Sequence, residues 1–252
     1  GIAHPNHKSA YDDDSREYVD FLQQNYQYED IQYLEKNDMA DLVGSDAYFG
    51  GSFDTSASHL HPLNYALGLA TAALKNGAIL HEQTVVESFQ EGKINQVITS
   101  RGTIEATSVV VACNGYLGKL DKRLSGKIMP INNFIIATKP LDDETVAQIN
   151  PKDIAFADSR FVVNYFRLSA DKRLLFGGGE NYSSNFPNDI ESFVRKPMTK
   201  IYPQLANIPV DYAWGGTLAV TLNRMPHFGR LGKNNTYFAQ GYSGHGVAAA
   251  TM

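Results

Sequence analysis

The sequence has one cysteine, no excess of basic residues and no long apolar run, and each shortage closes off a class of proteins. With Cys113 alone no internal disulfide can form, and a reducing compartment, the cytoplasm, is the simpler expectation. The 22 Lys and Arg against 27 Asp and Glu leave a formal charge of −5. That balance argues against a surface built for nucleic acid or an anionic membrane, so neither is expected as a partner. No apolar stretch approaches the roughly 20 residues that span a bilayer, and no signal-peptide pattern is present. Repeats and low-complexity segments are missing too. His59 and His61 stand two apart, yet no cysteine or carboxylate lies beside them at ligand spacing. A turn with solvated imidazoles is the default there, and no metal is expected.

What the sequence does have is bulk and aromatic content. Its 252 residues, 43% of them hydrophobic, suffice for one large core or two smaller ones. Fourteen Tyr and thirteen Phe favour a β-rich core with polar-tipped rings lining a cavity, although plain packing explains the count equally well. Residues 1–20 are polar and acidic (Tyr11-Asp12-Asp13-Asp14) and read as a loosely held entry segment. Residues 15–24 predict a helix with Tyr18, Phe21 and Leu22 on one face. Residues 33–43 predict a short strand and then a helix capped by Asn37 or Asp38, and 48–54 an aromatic, glycine-bearing strand. The run 59–77 gives a helix with Pro62 in its first turn, Leu63, Leu67, Ala70 and Leu74 as a buried stripe, and Gly77 as the stop.

After Gly77 the hydrophobic period changes to two. Residues 78–89 are strand-like, and 94–99 with 103–106 form a hairpin across Ser100-Arg101-Gly102. Residues 108–115 are an apolar strand ending in Asn-Gly, as in the buried centre of a parallel sheet. A helix, a strand, a small antiparallel insert and a buried strand are parts of an α/β nucleotide-binding layer. From Lys127 strands follow one another, at 128–139, 154–157, 161–167 and 173–177. Asn188-Asp189-Ile190-Glu191 resembles a capping box opening a helix to about 202, and 210–221 returns as strand. The expected fold class is α/β with α+β: a partial nucleotide-binding layer carrying an inserted antiparallel sheet. The expected divisions are 1–126, 127–222 and 223–252.

The most informative stretch is the last, 236–250. It reads as a strand, a turn holding Gly241, Gly244 and Gly246, and the start of an alanine-rich helix. A strand running through glycines into a helix aims free N–H groups and the positive end of the helix dipole at one point. Such a point suits a phosphate or an electron-accepting ring, while the bland alternative is a tight turn with no ligand. Elsewhere, Cys113 lacks an adjacent base and reads first as a packing residue. Leu175-Phe176-Gly177-Gly178-Gly179 reads as a flexible sheet end. Arg224 is suited to anchoring an anion, although a lone loop arginine is more often a surface ion pair.

Taken together, these residues resemble the D-amino-acid-oxidase-like superfamily of flavoenzymes, which includes glycine and sarcosine oxidases, over nearly the whole chain from about Leu34. The resemblance rests on four runs in order: His59-Leu60-His61-Pro62, Thr84-Val85-Val86, Val109-Val110-Val111-Ala112-Cys113-Asn114-Gly115 and Gly241-Tyr242-Ser243-Gly244-His245-Gly246. Residues 164–171, 174–179 and 222–231 are similar, more narrowly, to the gamma-glutamylputrescine oxidoreductases of that superfamily. Two departures matter. The family opens with a G-x-G-x-x-G turn that nothing here matches, and the expectation is that this chain is a fragment keeping the substrate domain and part of the cofactor shell. Sarcosine oxidases carry a lysine two residues past the last glycine, where this chain has Ala248. That loss agrees with a substrate lacking a carboxylate beside the reacting carbon.

The resemblance implies FAD as cofactor, a small-molecule amine as substrate, and oxidation of its C–N bond with oxygen as the final acceptor. It implies Gly244, His245 and Gly246 near the flavin ring. Val85, Val86, Cys113, Asn114, Gly115, Gly241 and Ser243 complete the cofactor shell it implies. Tyr165, Arg167, Trp214 and Arg224 are its substrate-side candidates, since strands of the middle sheet roof the flavin in this family. Two alternatives stay open: an oxidase of sarcosine, glycine or D-amino-acid type, and an inert substrate-binding domain without FAD.

Overall fold

The computed structural model describes residues 1–182, 185–233 and 235–251. In chain order the elements are β1 (Ile2–Pro5), α1 (Asp12–Tyr26), β2 (Ile31–Leu34), α2 (Lys36–Val43), β3 (Gly51–Asp54) and α3 (Pro62–Lys75). Then come β4 (Val86–Gln90), β5 (Asn95–Thr99), β6 (Gly102–Ala106), β7 (Val109–Val111) and α4 (Lys122–Ser125). They are followed by β8 (Met129–Thr138), α5 (Asp143–Ile149), β9 (Ala155–Ala157), β10 (Tyr165–Leu168), β11 (Leu174–Asn181) and α6 (Ile190–Ile201). The chain closes with β12 (Val210–Val220), β13 (His227–Leu231), β14 (Thr236–Gln240) and α7 (Gly246–Ala249). Among the described residues no helix is long and apolar enough to cross a membrane.

The chain divides into two compact units, one of residues 1–61 with 133–216, the other of 62–132 with 217–252. This differs from the boundaries expected at 126 and 222, because the first sixty residues are strands and helices of the inserted sheet. That sheet has eight strands in the order β12-β8-β11-β10-β9-β1-β3-β2. The opening segment, expected to be loosely held, supplies β1, which lies between β9 and β3. Its pairing with β9 is parallel in a sheet whose other described pairings are antiparallel.

One transverse row organises this sheet. Phe176, Phe166, Phe156, Ala3 and Phe53 are paired in turn across β11, β10, β9, β1 and β3. Side chains paired across neighbouring strands point to the same face. The rings of Phe156, Phe166 and Phe176 stack at centroid distances of 5.0 and 5.3 Å, and all five residues belong to the buried core. From that face the core is completed by Met39, Leu42 and Val43 of α2 and by Val194, Met198 and Ile201 of α6. The helix α6 starts where a cap was expected: Asp189 accepts from Ser192 N at 2.9 Å, satisfying one of the donors that a helix start leaves open.

The second unit has two small sheets, β13-β14-β7 and β4-β5-β6. The first pairs β14 in parallel with β7, as the apolar pattern of 109–111 suggested. Its position is not as expected, since β7 is an edge strand with Val110 exposed, where a buried centre was read. The stripe expected to be buried on α3 is likewise open, with Leu63, Leu67 and Leu74 all exposed. The unit's own core is Val111, Leu117, Leu124, Leu231 and Phe238. Arg123 ties α4 to the β4-β5 connection by pairing with both Asp121 and Glu91.

Candidate functional site

In the second unit the glycine turn follows β14 as a crowded base and an open tip. At the base, Asn114 takes a positive φ of 46° at the end of β7, and its Oδ1 accepts from Gly241 N at 2.9 Å. The adjacent Gly115 is required, because a Cβ there would meet the Thr217 carbonyl at 2.2 Å. Ser243 N donates to the Ala219 carbonyl at 3.0 Å, and Ser243 Oγ accepts from Thr221 N at 3.4 Å. The structure thus brings Asn114, Gly115, Gly241 and Ser243 together, each held by a neighbouring backbone group.

The tip is different. Gly244 has φ +92° and nothing within 4 Å of the place a Cβ would take. His245 and Val247 are exposed, and the N–H groups of Gly244, Gly246 and Val247 donate to no described residue. Backbone N–H groups left open at the entry to a helical turn suit an electron-rich acceptor. These residues therefore fit the carbonyl edge of a flavin, on free donors and on space that a side chain would fill.

Val85 and Val86 lie at the start of β4, both exposed, with Val85 exchanging hydrogen bonds with Ser100. Cys113 is half-buried, and burial pushes its thiol up, which agrees with a packing role and not a nucleophile. Arg224 stands in an exposed turn at φ +59°. Among the described residues no three His, Cys, Asp or Glu side chains are grouped to hold a metal.

In the first unit, Tyr165 and Arg167 share the sheet face opposite the phenylalanine row. The Tyr165 hydroxyl donates to Asn133 Oδ1, and burial pushes this phenol well up. Gly177, read as part of a flexible sheet end, is in fact the floor under this ring: a Cβ there would lie 2.1 Å from Tyr165 Cζ. Arg167 is anchored by the carbonyls of Leu168 and Leu60, both at 3.0 Å, and burial lowers its pKa. Trp214 is exposed on β12. Sequence reasoning missed Asn133 and a pocket of about 370 Å³ beside α1 that includes His4, Asp14 and Ser52. The run His4-Pro5-Asn6-His7 was the available signal, hidden by the polar composition around it.

A family model described as DAO, FAD dependent oxidoreductase, matches residues 3–252. The probable oxidoreductase OrdL of Haemophilus influenzae is 40% identical over 229 residues, covering 89% of this chain and 52% of that protein. The gamma-glutamylputrescine oxidoreductase of Escherichia coli is 39% identical over 228 residues, covering 90% of this chain and 53% of its own length. The chain thus spans about half the length of the curated relatives it matches. Among solved structures, glycine oxidase from Geobacillus kaustophilus superposes with a TM-score of 0.82 at 18% identity, over 98% of this chain and 66% of that one. L-proline dehydrogenase from P. horikoshii gives 0.78 at 22% identity, over 97% of this chain and 67% of its own. At such identities these two speak for the fold.

Proposed function

The chain belongs to the DAO family of FAD-dependent oxidoreductases, and on that premise we propose that the whole protein oxidises the terminal amine of a gamma-glutamylated diamine. The observation that carries the cofactor half of this reading is the outward-facing tip at Gly244–Val247. The substrate half is supported by 39% identity to a gamma-glutamylputrescine oxidoreductase and by Ala248, where the sarcosine oxidases it resembles hold a lysine.

Bound FAD would supply the acceptor for the hydride leaving the carbon that bears the amine. This chain's contribution is positional and electrostatic. The free N–H groups of Gly244, Gly246 and Val247 are donors fixed in advance for negative charge, and such preorganised donors cost no rearrangement when charge develops. Asn114 and Ser243 hold that tip by tying its base to β7 and β12. In the first unit, the Tyr165 phenol stays protonated across the physiological range and keeps its hydrogen bond to Asn133, giving a rigid wall for a neutral amine. Localisation in the cytoplasm belongs to this proposal and rests on the single cysteine.

The test uses Gly246→Val. A Cβ at Gly246 would lie 3.6 Å from Tyr242 Cβ, an ordinary contact, and the residue is not among those with positive φ, so the fold accommodates it. The expected outcome is loss of flavin absorbance near 450 nm (roughly, the cofactor's own band) from the purified whole protein, at the melting temperature of the flavin-stripped parent. Unchanged flavin content would remove the turn from the site. Peroxide release with gamma-glutamylputrescine, set beside sarcosine and glycine, then decides the substrate.

A further inference from the structure

The helix α7 has four residues, too few to hold a helical shape unaided in water. Three successive peptide units are nevertheless tied down there. The His245 carbonyl accepts from Ala249 N at 3.0 Å, and the Gly246 carbonyl from Ala250 N at 2.9 Å. The Val247 carbonyl accepts from Thr251 Oγ1 at 2.7 Å. A trans peptide unit is planar, with its N–H directed opposite to its C=O. Holding these three carbonyls therefore sets the directions of the N–H groups of Gly246, Val247 and Ala248, none of which donates to a described residue.

Residues 249–251, which do the holding, need a support of their own, and α3 supplies it. Tyr65, in the first turn of that helix, has its hydroxyl 2.8 Å from Thr251 Oγ1. The single hydroxyl hydrogen of Thr251 is committed to the Val247 carbonyl, so the Tyr65 hydroxyl is the donor. A relay thus runs from Tyr65 O–H to Thr251 O–H to the Val247 carbonyl, each bond polarising the next. Tyr65 is half-buried and α3 is 14 residues long, so the relay starts from a firm base. The opposite end of the turn is held at Gly241 by Asn114 and at Ser243 by the Ala219 carbonyl. The turn also follows the carboxyl end of β14, which runs parallel to β7, and α/β sheets take their ligands beyond the carboxyl ends of parallel strands.

We propose that Tyr65 is a positioning residue for the flavin: acting through Thr251, it fixes the backbone donors of residues 246–248 in the direction that serves the carbonyl edge of the ring. The inference rests on the reading of the terminal turn given above. It adds to that turn a residue 186 positions from its partner in sequence. A tyrosine that merely packed α3 against the turn would influence folding and leave the electronic properties of the flavin alone. A positioning tyrosine acts differently on the two redox states. Donors fixed in advance stabilise the negative charge of the reduced ring more than they stabilise the neutral oxidised ring, and donors free to turn away lose part of that difference.

The experiment measures the two-electron midpoint potential of the flavin in the FAD-loaded whole protein, for Tyr65→Phe, Thr251→Val and the double variant. Tyr65→Phe keeps the ring and removes the donor. Thr251→Val keeps the volume and removes both bonds of the relay, at an exposed position where folding is not at stake. For Tyr65→Phe the expected outcome is reduced flavin bound about fivefold less tightly relative to oxidised flavin, the worth of one ordinary hydrogen bond. For a two-electron couple that is a potential lower by about 20 mV. Thr251→Val should lower it at least as much, and the double variant should match Thr251→Val, because the Tyr65 hydroxyl acts only through the threonine. Leu67→Ala, on the same helix but outside the relay, should leave the potential where it is. A Tyr65→Phe potential equal to that of the parent would overturn the inference, and so would losses that add in the double variant. If Gly246→Val loses its flavin while Tyr65→Phe and Thr251→Val keep the parent potential, the reading of the turn stands and the role of Tyr65 is withdrawn. If Gly246→Val keeps its flavin, that reading fails and takes this inference with it.

Discussion

The helices α6 and α3 have similar sequence patterns and opposite surroundings. On α6, Val194, Met198 and Ile201 are all at most 2% exposed. On α3, Leu63, Leu67 and Leu74 are 62%, 56% and 52% exposed. Periodicity reports that a helix has one face suited to leaving water. It does not report what covers that face. On α6 the cover is the eight-stranded sheet, whose Phe176, Phe166 and Phe156 stand in the same cluster as its apolar residues. No described residue plays that part for the leucines of α3.

The contrast is tested most strongly at its buried end. Met198→Ala removes a side chain with no exposure from the middle of the first unit's core. Truncations of this kind cost about 2–5 kcal/mol, part lost burial and part the cavity left behind. Denaturant titration of the variant should show the midpoint falling with little change in slope. A loss below about 1 kcal/mol would mean that the α6 interface is as loose as α3 is open.

A smaller effect sharpens the comparison from inside the second unit, which does have a fixed core. Asp121 caps α4, accepting from Arg123 N at 2.7 Å, and also pairs with the Arg123 guanidinium. Hydrogen bonding from Arg123 holds this carboxyl below its usual value of 3.8. A folded-state value below the unfolded one stabilises the fold at pH above the ordinary carboxylate range, and that contribution is lost as pH falls through the folded value. Asp121→Asn keeps a capping side chain but not the charge, so the expected cost at neutral pH is about 1–2 kcal/mol. The stability difference between variant and parent should shrink steadily below about pH 4. A gap that holds constant into acid would assign the effect to packing.

Much of this architecture was legible in the residues, and where it was not, the reason is physical. Asp189 and the strand pattern of 128–139 announced themselves because caps and alternation are local signals. The terminal turn was legible for the same reason, its glycines standing where Gly241 and Gly244 take positive φ. The membership of β1 in the sheet was not, since a four-residue strand holding Pro5 and followed by acids carries almost no pattern of its own. Its place is fixed by Ala3 sitting between Phe156 and Phe53, partners some 150 and 50 residues away in sequence. The pocket at Ser52 was hidden likewise, because it exists only once β1, β3 and β9 lie side by side. Gly177 was misread because its requirement comes from the Tyr165 ring on the next strand.

The smallest expected effect is the one most able to break the comparison. Leu67→Ala on α3 removes as many side-chain carbons as many core truncations, yet Leu67 is more than half exposed and its loss should open no cavity. Alanine also has the better helix propensity, which favours the variant by a few tenths of a kcal/mol. The two terms nearly cancel, and the expected change in the stability of this chain is within about 0.5 kcal/mol. Solubility should respond more than stability, since the exposed leucines of α3 form an apolar surface of the kind that drives association. Light scattering of Leu67→Ala beside its parent reads that effect, and denaturant titration reads the other. A loss approaching that of Met198→Ala would mean that the face of α3 is covered after all, and the two helices would then differ in nothing but the identity of their neighbours.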